Sequence, residues 1–343
     1  MRRTTPPKRR RSDAPADAAP PYGRRLGRSG ALPAVPWPDG KRFAFTIFDD
    51  TDWTTMKNGP PVYQVLEDLG FRTTKSVWPI AGAQKPVVGG ETCANPEYRE
   101  WVLGLQQRGF EIALHNVTYH SSTRDEIVHG IEEFRRMFGT YPRVHANHFT
   151  NRDNLYWGPS RLSGVHRRVY TILSRGRTRG FDGGSSEGSP HFWGDLCKER
   201  TEYVRNFVFT DINTLKACPH MPYHDPERPF VNHWFASSDG HDLTAFLRTL
   251  SPSNQDRLEE EGGACVLYTH LGARGFCRDG RVNADVVKTL ERLAAKGGWF
   301  VPVSTLLDFL RARRDTNVIR FRQRWGLESR WLYEKVFVTR GTT

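Results

Sequence analysis

Between residues 41 and 312 the sequence predicts an α/β fold in which about seven parallel strands approach a closed (β/α) barrel with helices outside. Two observations carry this. Short apolar, β-favouring runs alternate with segments whose apolar residues recur at helical spacing. The chain also has enough apolar residues, 37% of the total, to fill a large core.

The elements follow in order. Phe43 to Phe48 is a short apolar run of the kind a buried parallel strand needs. Val62, Val65, Leu66 and Leu69 then fall at i, i+3, i+4 and i+7, and Gly70 stops that helix. Thr73 to Ile80 reads as the next strand. Tyr98, Trp101, Val102 and Leu105 repeat the helical period up to Gly109, and Phe110 to Leu114 is a strand. Thr123-Arg-Asp-Glu126 is a capping box, continued as one apolar face by Ile127, Ile131 and Phe134. Arg143 to His148, Val204 to Thr210 and Cys265 to Thr269 are further strands. A helix through Val286, Val287, Leu290 and Leu293 ends at Gly297-Gly298, Trp299 to Val303 is a strand, and Ser304 caps a last helix through Leu307 and Leu310. Residues 151–203 and 215–262 fit this rhythm poorly and read as long loops with some helix, and loops of that length are usually functional.

The charge sits mainly at the ends. The 343 residues carry 50 Lys+Arg against 38 Asp+Glu, a formal charge of +12. Residues 1–40 hold nine Lys/Arg against three Asp, a net +6, with Pro, Ala and Gly and few large apolar residues, and read as a disordered basic N-terminal tail. Residues 313–343 are basic with interleaved aromatics (Phe321, Trp325, Trp331, Tyr333, Phe337) and read as a C-terminal helical extension that docks on the body; a membrane-surface helix is the sharper alternative. The basic tails could touch anionic lipid weakly, and nothing in the pattern specifies nucleic acid. No apolar run reaches the ~18–20 residues of a membrane span. Arg2 and Arg3 are not followed by the apolar stretch of a secretory signal. Five scattered cysteines without a Cys-x-x-Cys spacing suggest reduced thiols and a cytoplasmic protein.

Parallel barrels collect reactive groups where strands end. Those positions hold Asp49 and Asp50, His115, His145 and His148, Asp211, and His270. Two imidazoles and a carboxylate with open positions suit a catalytic divalent metal, whose value is to lower the pKa of water from 15.7 towards ~7. A second carboxylate can take the water's proton, and a separate histidine can protonate a leaving group. That combination hydrolyses an amide or ester.

These residues also resemble a family. Phe45-Thr-Ile-Phe-Asp-Asp50 resembles the T-F-D-D-G motif of polysaccharide deacetylases with the NodB homology domain, carbohydrate esterase family four. Gly109-Phe-Glu-Ile-Ala-Leu-His115 with Thr118-Tyr-His120 resembles their G-H-E-I-G-x-H-T-x-x-H motif, Val266 to His270 their late L-x-x-H strand, and Lys296 to Leu306 their closing segment. The likeness spans about residues 41–312. It implies a distorted (β/α) barrel and a divalent metal, zinc first, with cobalt, nickel or manganese as alternatives. It further implies Asp49 as catalytic base, Asp50, His115 and His120 as metal ligands, His270 as catalytic acid, and Asp211 as the carboxylate that orients and charges His270.

Three departures bear on the site. The two family histidines are usually four apart, whereas His115 and His120 are five apart. The R-x-P-Y motif is replaced by Arg143-Val-His-Ala-Asn-His-Phe149, which leaves the arginine partner of the base between Arg143 and Arg152 and makes His145 or His148 a replacement ligand or substrate contact. Asp50 is followed by Thr51-Asp52-Trp53 rather than Gly, so Asp52 is a backup ligand. Trp193, at the end of a Gly-Ser-rich stretch, and Trp234 could stack on a sugar ring or pack in the core. The leading expectation is a metal-dependent hydrolase that removes an acetyl or other acyl group from a carbohydrate. The alternatives are a non-catalytic carbohydrate binder on a degenerate deacetylase fold and a hydrolase of another non-peptide C–N bond.

Overall fold

The structure is a computed structural model that describes residues 35–314 and 316–339. The basic tail expected for residues 1–40 lies outside the described residues up to position 34. From Val35 onward the chain joins the body: the Trp37 indole donates to Gly262 O at 3.0 Å and stacks on Phe309 at 5.4 Å. The body thus begins some residues before position 41, because Trp37 is large enough to seal the lower end of the core.

The strands are β1 (Ala44–Asp49), β2 (Thr74–Val77), β3 (Glu111–Leu114), β4 (Val144–His145), β5 (Tyr203–Phe209), β6 (His233–Gly240) and β7 (Ala264–Thr269), followed by a hairpin of β8 (Cys277–Arg278) and β9 (Arg281–Val282), and then β10 (Trp299–Phe300). The helices are α1 (Gly59–Asp68), α2 (Pro96–Gln107), α3 (Arg124–Phe138), α4 (Gly164–Leu173), α5 (Gly194–Arg200), α6 (Thr214–Ala217), α7 (Leu243–Thr249), α8 (Pro252–Glu260), α9 (Ala284–Ala295), α10 (Val303–Arg311) and α11 (Phe321–Tyr333). Strands β1 to β7 are parallel neighbours in sequence order, and β1 closes on β7 from Ala44↔Ala264 to Asp49↔Thr269. The barrel is distorted at β1. Its free edge is shared between β10, which pairs Ala44 and Phe45, and β2, which pairs Phe48 and Asp49. The lower seam is filled by Phe45, Phe71 and Phe300, with ring centroids 4.4 to 6.4 Å apart.

Local signals account for most elements. In α3 the Thr123 side chain accepts from Glu126 N while Glu126 returns the bond to Thr123 N, and Gly139 at φ 78° ends the helix. Ser304 does not cap α10: Pro302 holds the N-cap position, and Ser304 lies inside the helix with its N–H donated to Glu111 Oε2. Strand β4 is only two residues long, and the loop that leaves it carries His148. Strand β6 falls within 215–262, which reads from the sequence as loop. Its buried Ser238 is bonded, with Oγ donating to Asp211 O and meeting Thr214 Oγ1. The C-terminal α11 docks on α4 and β5 through Trp331, which is fully buried 5.2 Å from Phe207 and 5.6 Å from Tyr170. All five cysteines are unpaired. Among the described residues no helix is long and apolar enough to cross a membrane.

Candidate metal centre and active site

Strand alternation decides which acidic residue enters the barrel. Phe48 and Asp50 point inward and Asp49 points outward, because successive side chains on a strand face opposite sides. Asp49 is buried against the helical layer. It pairs with Lys75 Nζ at 3.0 Å, and it accepts from Tyr63 Oη at 2.9 Å and Leu271 N at 2.8 Å. With its oxygens taken up by those three donors, Asp49 is a structural anchor that ties β1 to β2, α1 and the loop after β7.

Asp50 instead faces Arg205, which rises from the middle of β5 and donates Nη1 and Nη2 to its two oxygens at 2.8 and 2.6 Å. Both ends are buried. Burial pushes the Asp50 carboxyl up, and the Arg205 charge outweighs it, so the group stays below the ordinary carboxylate range. Arg205 looks like an ordinary strand residue in the sequence, yet it is the arginine that holds an acidic residue of the site, Asp50. Arg143 sits at the opposite, N-terminal end of β4 and is held by Glu202 and Asp308.

Above Asp50 three side chains converge. Ligand atoms of Asp52, His115 and His148 all lie within 4.8 Å of one another. His115 Nε2 is 3.3 Å from Asp52 Oδ1, and His148 Nε2 is 3.6 Å from the same oxygen. Each imidazole is oriented from behind. His115 Nδ1 donates to Ala146 O at 3.0 Å, and His148 Nδ1 donates to Asn151 Oδ1 at 2.9 Å. Both rings therefore turn an unprotonated Nε2 inward, the tautomer a metal ligand requires. Asn116 couples the two supports: it sits at φ 54°, accepts from His148 N and donates to the buried Asp153 carboxylate at 2.7 Å.

Asp52 Oδ1 and His148 Nε2 are buried and have no hydrogen-bond partner among the described residues. Two orphaned acceptors aimed at one point are costly unless something binds there, and a cation satisfies both. The donor set, two imidazoles and a carboxylate, fits a divalent transition metal with open positions.

His270, at the end of β7, completes the rim. Its Nδ1 donates to His241 O at 2.6 Å, and its Nε2 stands 3.4 Å from Asp52 Oδ2 and 3.3 Å from Tyr268 Oη. Burial disfavours its charged form, but Asp52 more than offsets this and raises its pKa. Burial likewise pushes Asp52 up, and the imidazoles of His115 and His270 beside it more than offset this, holding the carboxyl well below the ordinary range. Gly272 makes this approach feasible, since a Cβ there would meet Thr54 N at 2.4 Å.

The remaining expected residues lie elsewhere. His120 donates Nδ1 to Ser121 O and accepts from Ala83 N at Nε2, so both ring nitrogens are occupied and it stands outside the cluster. Asp211 accepts from Arg257, Asn213 N and Arg330 and does not reach His270, whose carboxylate is Asp52. His145 is inside the barrel, where burial drives its pKa down to about 3. Trp193 is buried with its indole donated to Asp153 O, and Trp234 is buried in β6, so neither offers a face to a sugar. The exposed aromatics at the rim are Trp53, edge-on to His270 at 5.2 Å, and Phe149, tilted against His148 at 5.8 Å.

The fold and the cluster define a (β/α) barrel with a candidate metal centre at the C-terminal ends of its strands. No family model matches the sequence, and no curated protein matches it. In structure the chain is similar to polysaccharide deacetylases. A Mycobacterium smegmatis protein assigned to that class is 15% identical, with 84% of this chain and 98% of that one covered at a TM-score of 0.48. The Puue allantoinase is 13% identical, covering 85% and 97% at 0.46. A Pseudomonas aeruginosa PAO1 protein, also assigned as a polysaccharide deacetylase, is 13% identical, covering 85% and 97% at 0.43.

Proposed function

We propose that the protein is a metal-dependent hydrolase that removes an N- or O-acetyl group from a carbohydrate. The observation that carries this reading is the convergence of Asp52, His115 and His148, two of them with orphaned acceptors, beside an arginine-held carboxylate and a histidine of raised pKa. Asp52, His115 and His148 would hold the cation, zinc by donor type. A divalent ion there supplies Lewis acidity, lowering the pKa of water from 15.7 to about 7 and stabilising negative charge on an acyl oxygen.

The chain's own groups supply the rest. Asp50, kept ionised by Arg205 and 3.7 Å from His115 Nε2, accepts the proton of the attacking water. His270, charged through Asp52, donates a proton to the departing nitrogen or oxygen. The His241 carbonyl fixes the tautomer that leaves the His270 Nε2 proton pointing into the site. The motifs at Phe45 to Asp50, Gly109 to His115 and Val266 to His270 support the acetyl–carbohydrate choice of substrate. A second reading, hydrolysis of a C–N bond in a small molecule, is favoured by the burial of every group in the site.

The test is acetate release from acetylated amino sugars and their oligomers, by protein stripped with chelator and reloaded with zinc, cobalt, nickel or manganese. Activity that vanishes on stripping, returns on reloading and is lost in Asp50→Asn and His270→Ala supports the proposal. Acetate release unaffected by chelator rejects it. Turnover of cyclic amides or ureides with no acetate release selects the second reading.

A further inference from the structure

Among the described residues, half of the exposed large apolar side chains lie on or just before one helix pair. Val165, Val169, Ile172 and Leu173 of α4 are exposed, Ile172 by 75%, and Val318, Phe321 and Trp325 at and before the start of α11 are exposed beside them. On α4, Val165, Val169 and Ile172 fall at i, i+4 and i+7 and share one face, while His166 and Tyr170 turn inward. The two helices meet where Trp325 packs on His166 at 4.3 Å, and Phe321 lies 6.0 Å from Trp325.

Around this apolar face positive charge predominates, with Asp182 and Glu227 the acidic residues that share clefts with its arginines. From Trp157 to Phe181 the sequence contains six arginines and no acidic residue. Five of them, Arg167, Arg168, Arg175, Arg177 and Arg179, are exposed, and no ion pair joins any of them to an acidic side chain among the described residues. Other surface arginines of this protein do find acids, as Arg124 does with Asp195 and Arg136 with Glu133. Arg167, Thr171 and Arg179 also line a shared cleft of about 310 Å³.

An apolar helix face ringed by unpaired guanidiniums matches one kind of surface. A bilayer with anionic headgroups offers hydrocarbon to Ile172 and Leu173, an interfacial layer to Trp325 and Phe321, and phosphates to the arginines. A nucleic-acid backbone offers the phosphates but leaves the aliphatic residues in water. We propose that the α4–α11 face docks this protein on anionic lipid surfaces, separately from the candidate metal centre.

The experiment is flotation of the full chain with vesicles of phosphatidylcholine alone and of phosphatidylcholine containing phosphatidylglycerol. Binding to the anionic vesicles, weaker at high salt and absent from the neutral ones, is expected. Arg175→Ser with Arg177→Ser and Arg179→Ser should weaken it roughly 100-fold. Ile172→Glu with Leu173→Glu should weaken it at least about 10-fold while leaving the melting temperature unchanged, because Ile172 and Leu173 are exposed. A full chain with Arg9, Arg10 and Arg11 replaced by Ser should still bind. Absence of binding, equal binding to neutral vesicles, or loss only in the Arg9/Arg10/Arg11 variant would overturn the proposal. So would duplex DNA binding that competes with vesicles and ignores the Ile172/Leu173 change.

Discussion

Replacing Arg205 by Met should separate the roles of Asp49 and Asp50, at and just after the end of β1, more cleanly than any other change. Arg205 makes both of its bonds, at 2.8 and 2.6 Å, to Asp50, and both side chains are buried. Removing one member of a buried pair leaves an uncompensated charge and costs about 3–5 kcal/mol. At roughly 2–4 °C per kcal/mol for a domain of this order of size, the melting temperature should fall by roughly 6–20 °C at pH 7.5. The deficit should depend on pH. In the parent protein Asp50 titrates below its unfolded value, so its contribution is present above the unfolded pKa and is lost as pH falls. Without Arg205 the main counterweight to burial is gone and only the weaker pull of His115 and His270 remains, so the folded pKa rises and the penalty fades as pH drops through it. The double variant Arg205→Met, Asp50→Asn buries no charge at that position and should regain most of the stability but none of the activity. Circular-dichroism melts of the three proteins at pH 5 and 7.5 measure this. A single variant within about 2 °C of the parent at pH 7.5, or a double variant no more stable than the single, would refute the pairing argument.

The other predictions concern the neighbouring groups. Asp49→Asn leaves Lys75 buried without its carboxylate and should lower stability by about 3 kcal/mol, seen in chemical denaturation, whereas Asp50→Asn should abolish acetate release. His148→Ala should lower bound metal, measured by elemental analysis, by about 10-fold or more at limiting supply, and His120→Ala should leave it unchanged; metal lost in His120→Ala would restore that residue to the ligand set. His145, held near a pKa of about 3 by burial, is depressed below its unfolded value, so its contribution is full above about pH 6.5 and lost as pH falls towards 3. His145→Leu should therefore flatten the decline of melting temperature between pH 6.5 and 4, and an unchanged slope would show that other groups govern it.

Much of the scaffold was legible because it is written in local patterns. The run Phe43–Phe48, the helical spacing of Val62, Val65, Leu66 and Leu69, and the Thr123–Glu126 box each report a preference that tertiary packing reinforces. Strand β6 was not legible, since its buried Ser238 looks like a loop residue until its partners Thr214 and Asp211 are in place. In the site, His115 and His270 could be read as strand-end residues, whereas Asp52 and His148 could be read only as alternatives to Asp50 and His120. Asp49, Asp50 and Asp52 are chemically alike along the chain. Arg205 looks like an ordinary strand residue, and its role comes from crossing the barrel to Asp50.

The amino-acid sequence alone thus determined the barrel class, the strand ends where acids and imidazoles gather, and a hydrolytic metal chemistry as the expectation. Only the tertiary structure decided that Asp49 serves Lys75, that Asp50 faces Arg205, and that Asp52 with His148 rather than His120 stands beside His115. The reason is geometric. Residue type and period are local properties, whereas the sharing of one point by several side chains depends on strand register and loop path, which are settled only when the barrel closes.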